Sequence, residues 1–328
     1  MSSTIVRRVL VAGTGQLGSR YLQGLAKFHE PLEIFAYDLA TKSLEKARQR
    51  FKEVPQEVGH RVNFSNDLES LPKTIDLAIV SSTADARPEL VQAIACQAEI
   101  RTWILEKVLA QSIKGLHLIE TTIQAQTPSW VNTPRPIFPL YQQLKKRING
   151  QTIHAQFRNV TGIASNAVHF VDLVARITGE KVLSIDTSGL SAWKPYVKRP
   201  WLFDVDGLLN ISFSNNSTLI ISGTAGVRST GAINKIKVGS SENSETWDID
   251  AAGGNAVSTH GNQINAIGFY YQSDMTPLLV DRIFTGQNPG LTSLTESLEL
   301  YEPLLKALLN HWNQTMSMSN SVTKLPIS

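Results

Sequence analysis

The chain has 328 residues, 42% of them hydrophobic and 18% charged; this composition excludes a disordered or fibrous protein, and at about 100–200 residues per domain the length suggests two domains. Lys plus Arg number 31 against 28 Asp plus Glu, and a net charge of +3 scattered along the chain is no footprint for nucleic acid or an anionic membrane surface. The single cysteine, Cys96, excludes a disulfide framework, argues against a Cys-built metal site and fits a reducing compartment.

No apolar run approaches the ~20 residues of a membrane helix. Arg7-Arg8 followed by Val9–Ala12 mimics a short leader, but the apolar part is short and a Gly-rich loop follows at once, so it reads as a mature cytoplasmic start. Arg8–Ala12 is a buried strand by length and flanks. Leu17–Phe28 carries Leu17, Tyr21, Leu22 and Leu25 at helical spacing. Leu32–Tyr37 is the next strand, Thr41–Phe51 the next helix and Ile75–Val80 a third strand. Arg87-Pro88-Glu89 opens a helix, with Pro and Glu suited to its first turn. Ile100–Leu105 is another strand, and Ser112 can cap a helix running to Gln126. Strands alternating with helices of this length imply βαβ units and a parallel sheet.

The pattern changes at Arg135-Pro136 and Pro139, which break the chain before a short helix over Tyr141–Ile148. Strand signals then multiply: Ile153–Phe157, Val182–Thr187, Leu208–Phe213, Ser217–Ser222, Ile233–Val238 and Glu245–Ile249. Asn215-Asn216 is a hairpin-turn candidate. A helix near Asn166–Ile177 interrupts them, and Pro277–Phe284 and Leu294–Trp312 are helical, the latter amphipathic and read as core. The tail from Ser317 is rich in Ser and Asn and reads as loosely held. The fold class is therefore α/β: a Rossmann domain with a parallel sheet over residues 1–130, then an α+β domain with an open, mostly antiparallel sheet over 131–328, for substrate and oligomerisation.

Gly13-Thr14-Gly15-Gln16-Leu17-Gly18 matches the dinucleotide pattern G-x-G-x-x-G, and its place between a strand and a helix is the required one. Gly13 makes the tight turn, Gly15 lets the backbone approach a pyrophosphate, and Gly18 lets the helix pack on the strand. The phosphates then meet free N–H groups at the positive helix end. Asp38 lies 20 residues after Gly18 and closes the second strand, where its carboxylate can accept from ribose hydroxyls. It would repel a 2′-phosphate, which favours NAD over NADP; the nearby Lys42 softens that preference. The structural alternatives are a plain turn and an Asp38 cap on the next helix. Ser81, Ser82 and Thr83 after one strand, and Glu106 and Lys107 after another, end where the cofactor should lie; the hydroxyls could equally cap the helix at Arg87.

Taken in order, these motifs resemble the Gfo/Idh/MocA family of oxidoreductases, which includes glucose–fructose oxidoreductase and inositol dehydrogenase. The resemblance spans roughly residues 5–310. Asp76–Thr83 resembles the strand and loop beneath the nicotinamide, Glu106-Lys107-Val108 the Glu-Lys-Pro motif, Asn132–Arg135 the Asn/Arg segment at the domain junction, and His169-Phe170-Val171-Asp172-Leu173 the His-x-x-Asp helix that runs on to a Gly, here Gly179. The resemblance implies that Lys107 bonds the reacting hydroxyl and stabilises alkoxide charge, and that His169 accepts the proton. A histidine with an ordinary pKa of ~6.5 suits that task.

Two positions depart from the pattern. Val108 replaces the motif proline, and Ser165 stands four residues before His169, where many members carry Asp. At helical spacing Ser165 shares a face with His169, but it supplies no charge. Either the substrate differs, or Asp172 or another carboxylate substitutes, or the catalytic role is weakened. Asp172 could instead pair with Arg176. Arg135 either clamps substrate or joins the domains. Trp193, Tyr196 and Lys198, in a loop over Ser191–Trp201, either stack on a sugar and bind a phosphate, or serve packing or a subunit interface. The remaining six histidines show no metal-ligand spacing.

The implied activity is NAD(P)-dependent hydride transfer to or from a secondary alcohol of a sugar, cyclitol or sugar derivative. The alternatives are a dinucleotide-binding regulatory protein without turnover, and a reductase of an imine or tetrapyrrole-like substrate. An open sheet would bare a broad apolar face, from which a homodimer or homotetramer is expected.

Overall fold

The computed structural model describes residues 6–196, 199–224, 233–239, 244–266, 270–316 and 321–328. In chain order its elements are β1 (Arg7–Ala12), α1 (Gly18–Leu25), β2 (Leu32–Tyr37), α2 (Thr41–Lys52), β3 (Arg61–Ser65), β4 (Thr74–Ile75), β5 (Leu77–Val80), α3 (Arg87–Gln97), β6 (Glu99–Ile100), β7 (Trp103–Leu105), α4 (Ile113–Thr122) and β8 (Ser129–Val131). A single 3-10 turn (Arg135–Ile137) leads to α5 (Pro139–Ile148), β9 (Ile153–Thr161), α6 (Ile163–Thr178), β10 (Val182–Asp186), β11 (Leu190–Tyr196), β12 (Arg199–Phe213) and β13 (Thr218–Thr224). The chain continues through β14 (Ile233–Val238), β15 (Glu245–Asp250), β16 (Asn255–Ser258), β17 (Gln263–Asn265), α7 (Gln272–Phe284), β18 (Thr292–Ser293) and α8 (Leu294–Thr315).

These elements form two compact units. The first takes the chain to Ala110, then Lys114–Asn132 and Tyr270–Thr295. Its sheet runs β18-β8-β7-β5-β1-β2-β3, parallel throughout except for β18, which pairs antiparallel with β8. Val9–Ala12 and Leu77–Val80 are wholly buried, because a parallel strand is covered on both faces and so reads as an unbroken apolar run. The segment Tyr270–Thr295, which the sequence assigns to the second domain, belongs here for a packing reason. Helix α7 lies so close to α1 that a Cβ on Gly24 would stand 2.5 Å from the Cβ of Thr276. Lys27 on the same side pairs with Asp274 at 2.6 Å.

The second unit is built on a sheet of order β10-β12-β13-β9-β14-β15-β16-β17, with β11 paired to β12. Only β9 and β13 run parallel; every other pairing is antiparallel. Helix α6 lies on one face and buries Ile163, Ala167, Phe170, Val171 and Val174 among Ala155, Phe157, Leu209, Ile211, Leu219 and Ile221. The opposite face carries His154, Gln156, Asn210, Ser212, Thr218, Lys235 and Lys237, with Leu208 and Ile220 among them. That corrects the expectation of a broad apolar face, since strict alternation puts the apolar set on the α6 side. The dimer or tetramer inferred from such a face loses that argument.

Two further expectations give way. Ser191–Trp201 is no loop: β11 and the start of β12 form an antiparallel ladder there, while Lys198 lies outside the described residues. Of the tail from Ser317, residues 317–320 lie outside the described residues, and residues 321–328 are held in place. Leu325 and Ile327 are buried, Leu325 donates to the Gln111 carbonyl at 2.7 Å, and Phe203 donates to that of Pro326 at 2.7 Å. Among the described residues no helix is long and apolar enough to cross a membrane.

Candidate functional site

In the first unit the loop after β1 is shaped by its glycines. Gly13 has φ +88°, and a Cβ there would sit 2.5 Å from the backbone nitrogen of Ser82. A Cβ on Gly18 would sit 1.8 Å from the Gly13 carbonyl oxygen. Both positions therefore require glycine for the loop's own packing. Gly15 differs: its Cβ would meet nothing within 4 Å. Among the described residues none accepts from the backbone N–H of Gly15, Gln16 or Leu17, and no side chain caps α1. These groups face outward at the positive end of α1, as an anion-binding terminus requires. The cradle fits a dinucleotide pyrophosphate.

Asp38 is half-buried and ties the loop to the end of β2. Its Oδ2 accepts from the Thr14 N–H at 2.7 Å and its Oδ1 from the Ala40 N–H at 2.9 Å. The cap on α2 weighed from the sequence is absent, since Ala40 is the N-cap of that helix and no side chain caps it. Arg50 of α2 bonds the Ser19 hydroxyl at 2.5 Å and the Gln16 side chain at 3.0 Å, fixing the first turn of α1 from outside. The sequence reading did not single out Arg50.

Ser81 donates to the Gly13 carbonyl at 2.6 Å, so its hydroxyl braces the glycine loop. Helix α3 has no side-chain cap, so the hydroxyls of Ser81–Thr83 do not serve it. Thr83 is exposed and the Ser82 hydroxyl is buried. Arg87, fully buried, carries out a role not foreseen. Its guanidinium bonds the carbonyls of Ser82 and Val108, and that of Leu109 at 3.2 Å. It thereby joins the Ser81–Thr83 turn to the turn that bears Lys107. The Lys107–Val108 peptide is cis.

Glu106 directly follows β7. Its carboxylate is buried and its Oε1 accepts from Tyr21 at 2.5 Å and from Asn132 at 2.6 Å. Asn132 in turn donates to Gln272 at 2.8 Å. Glu106 thus anchors the end of β7, just before Lys107. Burial pushes its carboxyl above the ordinary glutamate value; the bonds from Tyr21 and Asn132 and the charges of Arg87 and Lys107 oppose this without reversing it. Burial, with Glu106 beside it, raises the Tyr21 phenol well above its ordinary range.

In the second unit, Ser165, His169, Asp172 and Arg176 fall on one stripe of α6. Ser165 and Asp172 are buried and His169 is half-buried. The i+4 pair proposed between Asp172 and Arg176 gives way to an ion pair from Arg176 to Glu296 at 3.7 Å. At the missing Asp, the structure supplies a carboxylate from elsewhere. Asp204 of β12 is fully buried at the start of α6. Its Oδ1 accepts from the Ala164 N–H at 2.7 Å; its Oδ2 accepts from the Ser165 hydroxyl at 2.6 Å and the Tyr196 hydroxyl at 2.7 Å. Burial and the Asp204 charge push the Tyr196 phenol up, so it stays a donor. Gly162 is required here, with φ +72° and a Cβ that would stand 2.6 Å from Asp204 Oδ2.

Trp193, expected as a candidate substrate contact, is buried at 5% exposure. Its indole donates to His311 Nδ1 at 3.0 Å and meets Trp312 edge-on at 5.1 Å. It is a core residue, as the packing alternative had it. Arg135 sits 4.5 Å from the centroid of the Phe170 ring and lines a cavity of about 700 Å³ with Arg158, Asn166 and Phe170. Among the described residues no cluster of three or more His, Cys, Asp or Glu could hold a metal.

No family model and no curated protein matches this sequence. Solved structures do. The chain is similar to myo-inositol dehydrogenase from Lactobacillus casei in complex with NAD(H) and myo-inositol, at 15% identity and TM-score 0.67, over 94% of this chain and 95% of that one. It is similar to UDP-N-acetylglucosamine 3-dehydrogenase GnnA from Acidithiobacillus ferrooxidans, at 12% identity and TM-score 0.69, over 93% and 97% of the two chains. A probable dehydrogenase from Thermotoga maritima matches at 18% identity and TM-score 0.63, over 92% and 95%. The fold is that of these solved dehydrogenases. That bears out the fold the motif order implies, a Rossmann sheet followed by an open, mostly antiparallel one.

Proposed function

We propose that the chain is an oxidoreductase of the Gfo/Idh/MocA type that uses NAD and acts on a secondary alcohol or ketone of a sugar, cyclitol or sugar derivative. The observation that carries this reading is the loop at Gly13–Gly18, where a Cβ on the middle glycine would meet nothing within 4 Å and the N–H groups of Gly15, Gln16 and Leu17 have no acceptor among the described residues. Two of the structural neighbours are described with bound NAD(H), one with myo-inositol and one with scyllo-inositol. The backbone of Gly15–Leu17 would hold the pyrophosphate and Asp38 the adenosine ribose, with Ser81, Ser82 and Thr83 lining the approach. When bound, the nicotinamide supplies the hydride acceptor or donor. Asp38, by its charge, disfavours a 2′-phosphate.

In the oxidising direction a proton must leave the hydroxyl as hydride leaves the carbon. His169 receives that proton on a ring nitrogen, and Lys107 stabilises the alkoxide as it develops. Arg87 and Glu106 act as positioning residues for Lys107, through the turn and the strand end that carry it. Asp204 acts likewise on the start of the helix that carries His169.

The test is a titration with NADH and separately with NADPH, followed by tryptophan quenching, and then a screen of polyols, sugars and sugar nucleotides. NADH should bind more tightly than NADPH, and Asp38→Ala should narrow the gap. Lys107→Ala and His169→Ala should each lower kcat/KM by about a hundredfold or more. Binding of neither cofactor would end the reading. Cofactor binding with no hydride exchange into any sugar would leave a dinucleotide-binding protein without turnover.

A further inference from the structure

The cavity of the second unit has a chemistry that the reaction above does not use. It holds about 700 Å³ and is lined by Arg135, Arg158, Asn159, Asn166, Phe170 and Asn234, with Asp250 at one edge. That volume is within the range of small-molecule sites, about 300–1,000 Å³. Among the described residues no carboxylate lies within ion-pair distance of either arginine. The Asp250 carboxylate turns back on its own loop, accepting from Ala252 and Gly253 N–H groups at 3.2 and 3.0 Å. Among the described residues the lining therefore presents two guanidinium groups with no ion-paired carboxylate, Asp250 lying at its edge.

The Arg135 guanidinium is held by a ring, and that of Arg158, on an exposed stretch of β9, donates to Gln156 Oε1 at 3.1 Å. Arg135 lies over the face of Phe170, 4.5 Å from its centroid, and Phe170 packs on the buried ring of Phe157 at 4.4 Å. A guanidinium stacked on a ring keeps its N–H edges available for an oxyanion lying in its plane. Arg158 stands at a bulge. Phe157 pairs with Ile221 and Val160 with Gly223, so β9 spends one residue more than β13 across this stretch. Asn159 takes up the difference with φ +59°. A Cβ on Gly223 would stand 1.9 Å from the Val160 carbonyl oxygen, so the bulge closes only on glycine. Bulges of this kind re-aim side chains beside binding sites. Here the bulge brings Arg158 and Asn159 into the cavity lining.

We infer that this cavity binds the anionic group, phosphate or carboxylate, of a charged sugar derivative, with Arg135 and Arg158 as its ligands. Calling that molecule the substrate rests on the oxidoreductase reading; the binding itself does not. Planar forks match oxyacid oxygens two at a time, which a neutral polyol cannot offer.

Calorimetry of the purified protein, with and without saturating NADH, tests this with inorganic phosphate, glucose 6-phosphate, glucuronate and glucose. At least one charged sugar should bind about tenfold or more tightly than glucose. Arg158→Gln and Arg135→Gln should each remove most of that gain, and Arg158→Lys should keep part of it. Glucose 6-phosphate above glucuronate assigns phosphate, the reverse assigns carboxylate. Equal affinity for all three sugars, binding of none of them, or a charge preference that survives both Gln substitutions would overturn the inference. NADH binding measured on the same samples separates the two readings. NADH binding without charge preference removes this inference alone, and charge preference without NADH binding removes the oxidoreductase reading alone.

Discussion

Replacing Asp204 with alanine removes an acceptor that the start of α6 shares with the β11–β12 hairpin. Five donors reach that carboxylate: the N–H groups of Ala164, Ser165 and Val205 at 2.7, 3.2 and 2.8 Å, and the hydroxyls of Ser165 and Tyr196 at 2.6 and 2.7 Å. Losing a helix cap costs about 1 kcal/mol, and each buried donor left without a partner about 1–3 kcal/mol. The losses do not simply add, because the Ser165 and Tyr196 hydroxyls are 2.9 Å apart and can still bond each other. A loss of about 3–5 kcal/mol follows, or roughly 10 °C in Tm for a unit of this size. Asp204→Asn keeps one acceptor oxygen and should lose about 1–2 kcal/mol. Urea unfolding followed by tryptophan fluorescence, with scanning calorimetry beside it, measures both. The order of stability should be wild type, then Asn, then Ala. A cycle with Ser165→Ala should show coupling of about 1 kcal/mol or more. Wild-type stability in Asp204→Ala, or strict additivity with Ser165→Ala, would refute the account of this cluster.

The glycine loop separates binding from folding. Gly15→Ala should leave stability within about 0.5 kcal/mol, since its Cβ meets nothing, yet weaken NADH binding about tenfold or more. Gly18→Ala should cost about 1–3 kcal/mol, because its Cβ collides with the Gly13 carbonyl; equal unfolding curves for the two variants would contradict this. Glu106 gives a pH signature. Its folded value is raised above the ordinary 4.5, so the folded protein holds that proton more tightly than the unfolded chain. Its contribution is fully present below about 4.5 and is lost as pH climbs through the raised folded value. Wild-type stability relative to Glu106→Gln should therefore fall as pH rises above about 4.5. A difference that is flat or grows with pH would show that burial does not dominate at this carboxylate.

The parts of this protein legible in its sequence are those whose cause is local. Val9–Ala12 and Leu77–Val80 announce a parallel sheet because double-sided burial leaves no polar position in either run. The Gly13–Gly18 loop is readable for the same reason: its turn, its close approach and its helix start fall within six residues. Segments whose stability comes from across the chain are not readable this way. Helix α7 looks like part of the second half until Gly24 and Thr276 are seen to touch. Thr41–Lys52 and Ile233–Val238 are recognisable, whereas β16 and β17 are short strands that each bury a single apolar side chain, Ala256 and Ile264.

The site follows the same division. Ser165 reads as a lost charge because a sequence pattern searches for its carboxylate on the same helix. The charge that meets this position comes from Asp204, 39 residues away on β12, and no helical spacing could announce it. Arg87 reads as an ordinary first-turn residue, yet its buried guanidinium bonds three carbonyls of two turns. In both cases a charged group is buried and hydrogen-bonded to the backbone it organises, an arrangement that a fold retains only where that backbone must be held. The turn held by Arg87 carries Lys107, and the helix start held by Asp204 leads to His169. Two buried charged anchors thus sit behind the two residues proposed to act on the substrate. Loosening either anchor should therefore lower kcat before it changes NADH affinity.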